Sequence, residues 1–268
     1  RDGKQIAVAS SSGIYFYNPD TLEQRTWLPS QSAVLKIAFS PDGKLLAGAE
    51  QDSVVVWDWV SGERLLTIKP PDAGYVDHVA FSPDNTIVIG GSENAYCWDA
   101  ATGDLIAEFP GVAASKVAIS IDHQFVAVPR EDTLQLVSLS DSTLVREFTF
   151  YNAYKTSFLP DGTHLVAAGG DIVSLLTLDG DVFGKIGGRN LLISEDGSSL
   201  VVDNGKGLIQ VWRLNEFAFP QFPLRYYEYD NMENAINYQI SKTGGVLAYW
   251  NIADLVYSKV LSPDFVQV

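Results

Sequence analysis

Short apolar runs separated by polar turns follow one another along the whole chain. One run covers residues 34–40 and ends at Pro41-Asp42-Gly43, where proline presets φ and glycine tolerates a positive φ, so that the chain reverses. Three further apolar runs follow at residues 45–49, 54–57 and 64–68. Runs of this length, rich in β-branched and aromatic residues, predict four β-strands. Since no run carries an apolar stripe at helical spacing, the chain is predicted to be all-β.

The turn sequence itself recurs at a nearly even interval. Phe-Ser-Pro-Asp-Gly at 39–43 reappears as Phe-Ser-Pro-Asp-Asn at 81–85 and as Phe-Leu-Pro-Asp-Gly at 158–162. The aspartates of these and weaker copies lie at positions 2, 42, 84, 122, 161 and 196, and a seventh copy lies at 241–244. A period of roughly 40 residues is typical of the four-stranded antiparallel blade of a β-propeller. The repeats therefore predict a seven-bladed β-propeller in a single domain over residues 1–268.

The ends of the third predicted strands carry a family resemblance. They read Trp57-Asp58, Trp98-Asp99 and Trp212-Arg213. With these endings the repeats resemble those of the WD-repeat β-propeller family. The amino-acid sequence of the repeats resembles that of the family's bacterial members. The family's Gly-His pair is missing from every repeat, so its buried hydrogen-bond network is not carried over. The resemblance implies a non-catalytic scaffold that binds proteins within a larger assembly, and it implies a turn-fixing role for the acids at Asp52, Glu93, Asp132 and Asp171.

Charge narrows the kind of partner. The chain has 18 Lys and Arg against 33 Asp and Glu, a net charge of −15. A phosphate backbone would be repelled and no basic stripe offsets this, so nucleic acid is disfavoured. A protein partner with a basic or mixed-charge surface is favoured instead. No uncharged run is apolar enough to span a bilayer, so no transmembrane segment is expected.

Residues suited to catalysis or metal binding are few. The three histidines, His78, His123 and His164, belong to different repeats without metal-ligand spacing, and each is predicted to be a turn or packing residue. Cys97 is predicted to be a small core residue. No phosphate loop or nucleophile motif appears, so no enzyme activity, cofactor or metal is predicted. The alternative is a propeller that binds, or even hydrolyses, a small molecule or binds a cation at the acidic mouth of its central channel.

One end of the predicted blades is the better recognition surface. Antiparallel strands place the turns between second and third strands, and the connections between blades, at the same end. Acids and tyrosines gather there, whereas the other end carries short Pro-Asp-Gly turns, and tyrosine offers contact area with few rotors to freeze. The predicted partner-binding residues are Glu50, Asp52, Tyr75, Glu93, Glu131, Asp132, Tyr151, Tyr154, Tyr226, Tyr227, Tyr229 and Asp230. For the tyrosines of 226–229 both packing and partner contact stay open, while Phe217, Phe219 and Phe222 are predicted to pack as an outer strand.

The ends of the chain leave two questions open. The chain begins at a turn, and three last strands are predicted at 235–240, 246–251 and 255–261. Residues 265–268 then complete either the seventh blade or the first. The missing initiator methionine, single cysteine and low pI favour an extracytoplasmic bacterial location, with the cytoplasm as the alternative. Trp57 and Trp98 are predicted to be buried between blades, since each lies among apolar neighbours.

Overall fold

The computed structural model describes residues 5–72, 74–159, 161–194, 199–204, 209–214, 226–229, 235–240, 247–251 and 258–261. For residue 213, and for every described residue from 226 onward, it describes the backbone alone. The chain packs as two compact units. Unit 1 comprises Arg1–Val128 with Leu136–Val145, and unit 2 comprises Pro129–Gln135 with Arg146–Val268.

Among the described residues, three antiparallel sheets lie wholly within unit 1. The first has three strands, in the order β1 (Ile6–Ser10), β2 (Gly13–Tyr17) and β3 (Gln24–Pro29). The second has four, in the order β4 (Val34–Phe39), β5 (Leu45–Glu50), β6 (Ser53–Asp58) and β7 (Glu63–Ile68). The third has β8 (His78–Phe81), β9 (Ile87–Gly91), β10 (Ala95–Asp99) and β11 (Leu105–Phe109). Each strand thus pairs with the next along the chain.

A fourth sheet divides its residues between the two units. It consists of β12 (Ala118–Ile119), β13 (Phe125–Pro129), β14 (Thr133–Ser138) and β15 (Leu144–Thr149).

In the part of unit 2 that the structure describes there are three further sheets. One consists of β16 (Ala153–Phe158), β17 (His164–Gly169), β18 (Ile172–Thr177) and β19 (Val182–Gly187). The next consists of β20 (Asn190–Ile193), β21 (Ser199–Asp203), β22 (Ile209–Arg213) and β23 (Tyr226–Tyr229). The last has three strands, β24 (Ala235–Ile240), β25 (Leu247–Asn251) and β26 (Ser258–Leu261). The described residues therefore confirm the all-β prediction and its four-stranded antiparallel repeat. The single domain remains a prediction.

Tryptophans fill the core of unit 1. Trp57 is 2% exposed and packs with Phe16 and Leu46, residues of the first and second sheets. Trp98 is 1% exposed and packs with Val54 and Val79. The predicted burial of both rings between neighbouring sheets is confirmed.

Two glycines make room for these rings. A Cβ on Gly48 would lie 2.8 Å from Cζ3 of Trp57, and one on Gly90 would lie 3.0 Å from the same atom of Trp98. Each glycine lies in the second strand of its sheet, which pairs with the third strand that carries the tryptophan. The second and third sheets therefore share the same packing arrangement, a glycine in the second strand beside a tryptophan in the third.

The repeated turn is held by its serine and aspartate. The Ser40 hydroxyl donates to Asp42 Oδ1 at 2.7 Å and accepts from the amide of Leu45 at 2.8 Å. Asp42 Oδ1 also accepts from the amide of Lys44 at 3.1 Å. The same pattern recurs at Ser82 with Asp84 and at Ser120 with Asp122. The buried serine hydroxyl of each turn thereby has hydrogen-bond partners within the same turn, which explains why serine and aspartate recur together in the repeats.

The aspartates that follow Trp57 and Trp98 each cap the next turn. Asp58 Oδ1 accepts from the amides of Val60 and Ser61 at 3.0 and 2.9 Å. Asp99 Oδ1 accepts from the amides of Ala101 and Thr102 at 2.9 and 2.8 Å. The Trp-Asp pair thus joins a core ring to a turn cap.

Candidate functional site

In the second sheet, Asp52 links the turn between β5 and β6 to the chain that leaves β7. Its Oδ2 lies 2.7 Å from Nζ of Lys69, the first residue after β7. The hydrogen bond from Lys69 is the main reason why the pKa of Asp52 is lowered. The acid therefore fixes a turn, as the resemblance implied, and it does so while remaining exposed.

The connection from β7 to β8 is braced on both sides. Val76 is fully buried, and its amide donates to the carbonyl of Gln51 at 2.9 Å. Asp77 accepts a hydrogen bond from the Ser92 hydroxyl at 2.9 Å. These contacts tie the middle of the connection to the second sheet and its end to the third.

Asp72 anchors the start of this connection. Its carboxylate accepts from Asn94 Nδ2 at 2.7 Å and from the amide of Gly74 at 2.9 Å. A hydrogen bond from the Tyr96 hydroxyl is the largest cause of its lowered pKa, followed by those from Gly74 and Asn94. Burial, and then the bond to Asp72, raises the pKa of Tyr96 to about 12. The Tyr96 ring stacks on Trp98, with 5.5 Å between the ring centroids. Asp72 is therefore hydrogen-bonded to a side chain that packs in the core.

Tyr75 lies between these fixed points and is 51% exposed. Glu93, on the turn between β9 and β10, is also exposed. We name the connection surface by five residues: Asp52, Asp72, Tyr75, Asp77 and Glu93. Its carboxylates accept hydrogen bonds and its ring offers a π face, so the chemistry favours a cationic or donor-rich contact.

Glu50 differs from the other predicted acids that the structure describes because it is only 2% exposed. Its Oε1 accepts from the Ser30 hydroxyl at 2.6 Å, and its Oε2 lies 3.1 Å from Nη2 of Arg64. The fold therefore encloses this carboxylate, and Glu50 supports the sheet rather than the surface.

Unit 2 carries a similar arrangement around Tyr151, which is 65% exposed. The carbonyls of Glu131 and Asp132 accept from the amides of Asn152 and Phe150 at 2.8 and 3.0 Å. The Glu131 and Asp132 side chains are exposed on the turn between β13 and β14. We name this group, Glu131, Asp132 and Tyr151, the Tyr151 surface.

Tyr154 is half-buried and has a partner for its hydroxyl inside unit 2. The hydroxyl donates to the carbonyl of Arg189 and to that of Gly170. Burial raises its pKa. The guanidinium of Arg189 pairs in turn with Asp171, so Tyr154 helps to hold two turns together.

The remaining predicted residues lie near the end of the chain. Tyr226, Tyr227 and Tyr229 belong to β23, which pairs with β22, so they form the outer strand of a sheet and not a connection. Asp230 and the phenylalanines 217, 219 and 222 lie outside the described residues.

The sequence reading missed the supports of the connection surface. Asn94 and Tyr96 were not singled out, because nothing in the sequence near Asp72 indicates that these two side chains hold it. Trp59 was also missed. Its indole donates to the carbonyl of Gly43 at 2.9 Å and its ring stacks on Phe16 at 5.4 Å.

Three properties bear on other kinds of site. Within the described part of the chain, no group of three or more His, Cys, Asp or Glu side chains is arranged to hold a metal ion. Nor does any described helix have the length and apolar character to cross a membrane. Burial raises the pKa of Cys97 to about 12, in agreement with a core role.

Comparison with known proteins supports the repeat reading over part of the chain. Residues 23–58, which cover β3 to β6, match the model of the WD domain, G-beta repeat. A segment of 62 residues is 44% identical to the U5 small nuclear ribonucleoprotein 40 kDa protein of Pongo abelii and covers 23% of this chain and 17% of that protein. The human protein of the same name is 42% identical over the same length. The Actin-interacting protein 1-2 of Arabidopsis thaliana is 26% identical over 156 residues, which cover 56% of this chain and 24% of that protein.

The matches are therefore partial on both sides. The chain spans about a fifth of the length of these relatives. All three relatives come from eukaryotes, so they give no support to a bacterial affiliation.

Proposed function

We propose that this chain is a non-catalytic protein-interaction scaffold, a recognition module of a larger assembly. The observation that carries the proposal is Tyr75, an exposed ring on a connection whose chain is held on either side of it, at Asp72 and at Val76. Tyrosine has few rotors to freeze, so on a backbone that is already fixed it loses little entropy on binding, and such residues dominate interface energetics. The match to a WD repeat supports the same class, because this family generally serves as interaction modules.

The chemistry of the connection surface favours a partner with a basic or mixed-charge surface. Asp52, Asp72, Asp77 and Glu93 supply exposed carboxylates on this connection and on the turns next to it, and the chain carries a net charge of −15. Such charges steer association and select partners more than they add affinity. The aromatic ring is then expected to contribute most of the binding energy.

We also propose that the seven sheets close into a seven-bladed propeller. The support comes from the first sheet, in which three strands are described. Val8, Tyr15 and Trp27 form a row across these strands. Val8 and Trp27 are each 43% exposed, and Trp27 stacks on Tyr15 at 5.8 Å. A closing ring would bury this row against the last sheet. A Trp27→Ala variant should then be destabilised as strongly as Trp57→Ala, whereas an almost unchanged melting temperature would argue for an open arrangement.

The interaction proposal is tested by quantitative co-purification with the full chain. The test variant is Tyr75→Ala with Tyr151→Ala, and the matched control is Lys44→Ala, an exposed residue of the repeated turn at the other end of the second sheet. Both variants should keep the wild-type melting temperature. We expect the tyrosine variant to lose its specific partners and the Lys44 variant to keep them. Equal retention by both variants would reject the two tyrosine surfaces as the binding site.

A further inference from the structure

Asp-Gly pairs recur in the turns of this chain. Among the described residues they are Asp42-Gly43, Asp161-Gly162 and Asp179-Gly180. An aspartate followed by glycine can rearrange without a catalyst, because glycine has no side chain to shield its backbone nitrogen from the neighbouring carboxyl group. The three pairs therefore share one chemistry, and the fold determines which of them reacts.

The backbone around the three pairs is nearly the same. The φ angle is left-handed at each glycine, 73° at Gly43, 70° at Gly162 and 90° at Gly180. Each glycine amide also donates to the carbonyl three residues earlier, at 2.9, 3.0 and 3.0 Å respectively. Differences in reactivity are therefore expected to come from the aspartate side chains.

Asp42 is held by its own turn. Its Oδ1 accepts from the Ser40 hydroxyl at 2.7 Å and from the amide of Lys44 at 3.1 Å. These hydrogen bonds, the one from Ser40 first, lower the pKa of Asp42. The neutral carboxyl group is the reactive form, because its OH leaves as water. The turn thus protects Asp42 by holding the carboxylate in place and by keeping it ionised.

Asp161 is held in a similar way. Its Oδ1 accepts from the amides of Thr163 and His164 at 2.8 and 3.1 Å, and its Oδ2 lies 2.6 Å from Nδ1 of His164. Burial acts to raise the pKa of Asp161, but the hydrogen bonds from Thr163 and His164 outweigh it, and the pKa is lowered. To reach the nitrogen of Gly162, this carboxyl group would have to give up its charge-assisted hydrogen bonds.

Asp179 has more freedom than the other two aspartates. Its side chain is 74% exposed, against 33% for Asp42 and 44% for Asp161. The contact described for its carboxylate is an ion pair, in which Nη2 of Arg146 lies 3.1 Å from Oδ1. The Arg146 side chain is itself 46% exposed, and an exposed ion pair restrains its members only weakly.

We propose that Asp179-Gly180 is a site of spontaneous isoaspartate formation and that it reacts faster than Asp42-Gly43 and Asp161-Gly162. The Gly180 nitrogen attacks Cγ of Asp179, an N–Cγ bond forms, and the amide hydrogen and the carboxyl OH leave together as water. Water then adds to the five-membered succinimide. Where it cleaves the original peptide C–N bond, the chain continues through Cγ as isoaspartate. One water is released and one is consumed, so the overall change is an isomerisation without a co-reactant.

The product changes the packing of this turn. A Cβ on Gly180 would lie 2.6 Å from Cδ1 of Phe148, so the backbone of the turn lies directly against that ring. Isoaspartate adds one carbon to the main chain at this point. We therefore expect the turn between β18 and β19 to lose its fit against Phe148 once Asp179 has isomerised.

The test is peptide mapping of the full chain by liquid chromatography and mass spectrometry after several weeks at mildly acidic pH. An isoaspartyl peptide has the mass of its parent and a different retention time. Isoaspartate should form at Asp179 roughly tenfold or more faster than at Asp42 or Asp161, the factor for giving up one hydrogen bond to a charged group. In chain unfolded with guanidinium chloride, the three pairs should react at similar rates.

Three variants separate the role of the carboxylate from general effects. Arg146→Gln removes the ion pair and should speed the reaction at Asp179 by roughly 1.5- to 5-fold, the range for an exposed pair. Lys44→Ala is the matched control, since it removes the exposed ammonium beside Asp42 but keeps the hydrogen bonds from Ser40 and from the amide of residue 44, so Asp42 should stay slow. Asp179→Glu should abolish the product, because glutamate would need a six-membered ring.

Three results would overturn the proposal. They are equal rates at the three pairs in the folded chain, the same selectivity in the unfolded chain, and a reaction at Asp179 that is no faster in Arg146→Gln than in wild type.

Discussion

The guanidinium of Arg64 lies 3.1 Å from the carboxylate of Glu50, which is almost completely buried. Arg64 also lies over the ring of Trp57, 5.9 Å from its centroid. A carboxylate that was expected at a surface turn is therefore part of the support for the largest core ring.

Replacing Glu50 should destabilise the protein. Glu50→Ala leaves the Ser30 hydroxyl and the Arg64 guanidinium without this partner, so we expect a loss of about 1.5–3 kcal/mol in the free energy of unfolding. Glu93→Ala is the matched control, an exposed glutamate expected to change stability by less than about 0.5 kcal/mol. Urea unfolding measures both, and equal effects would contradict the buried role of Glu50.

Removing the Trp57 ring should cost more than any surface change. Trp57→Ala empties a site lined by Phe16, Leu46 and Val55, and the expected cost is about 3–5 kcal/mol. Tyr75→Ala, at an exposed ring, should fall within about 1 kcal/mol of wild type. An unchanged melting temperature in the Trp57 variant would show that the packing assignment is wrong.

Gly43 and Gly187 form a matched pair for backbone strain. A Cβ at either glycine meets nothing within 4 Å, but only Gly43 has a left-handed φ, of 73°. Gly43→Ala should therefore cost about 1 kcal/mol, whereas Gly187→Ala should be neutral or slightly stabilising. Calorimetry measures the melting temperatures of the two variants. Equal melting temperatures would show that side-chain contacts, and not backbone conformation, determine the loss of stability.

The turn caps should make stability depend on acid pH. The pKa of Asp99 is lowered, first by the amide of Thr102 and then by that of Ala101. A lowered pKa contributes stability above the unfolded value of about 3.9, and this is lost as the pH falls through the folded pKa. Asp99→Asn keeps a neutral acceptor, as Asn18 does for the amide of Asp20.

We therefore expect the melting temperature of Asp99→Asn to fall less than that of wild type between about pH 5 and pH 2.5. Asp20→Asn, on an exposed turn, serves as the control and should follow wild type. Parallel curves for wild type and Asp99→Asn would argue against the cap.

Much of the fold follows from local sequence because the repeat is locally encoded. The run predicted at 45–49 is the strand Leu45–Glu50, and the run at 54–57 is the strand Ser53–Asp58. Turn residues, and the alternation of apolar and polar residues in a strand, act over a few positions, so they can be recognised in a single sequence. The burial of Trp57 and Trp98 was predicted correctly because each large ring lies in a strand among apolar neighbours.

The candidate site was less predictable because its supports are distant in sequence. The burial of Glu50 depends on Arg64 and Ser30, 14 and 20 residues away. Asp72, three residues before Tyr75, is held by Asn94, 22 residues further along. Residue type showed that these positions were polar or aromatic, but not which of them the fold would enclose.

The central claim, recognition of a protein through braced tyrosines, is tested most directly by the dissociation rate of a co-purified partner. Surface plasmon resonance would compare wild type, Tyr75→Ala and Lys44→Ala at low and physiological salt. We expect Tyr75→Ala to dissociate about 5- to 30-fold faster, the range for a hot-spot aromatic residue, with Lys44→Ala like wild type. Association should slow as salt rises, since exposed charges are screened beyond about 8 Å at physiological ionic strength. Unchanged dissociation from Tyr75→Ala, or faster dissociation from Lys44→Ala alone, would contradict the account.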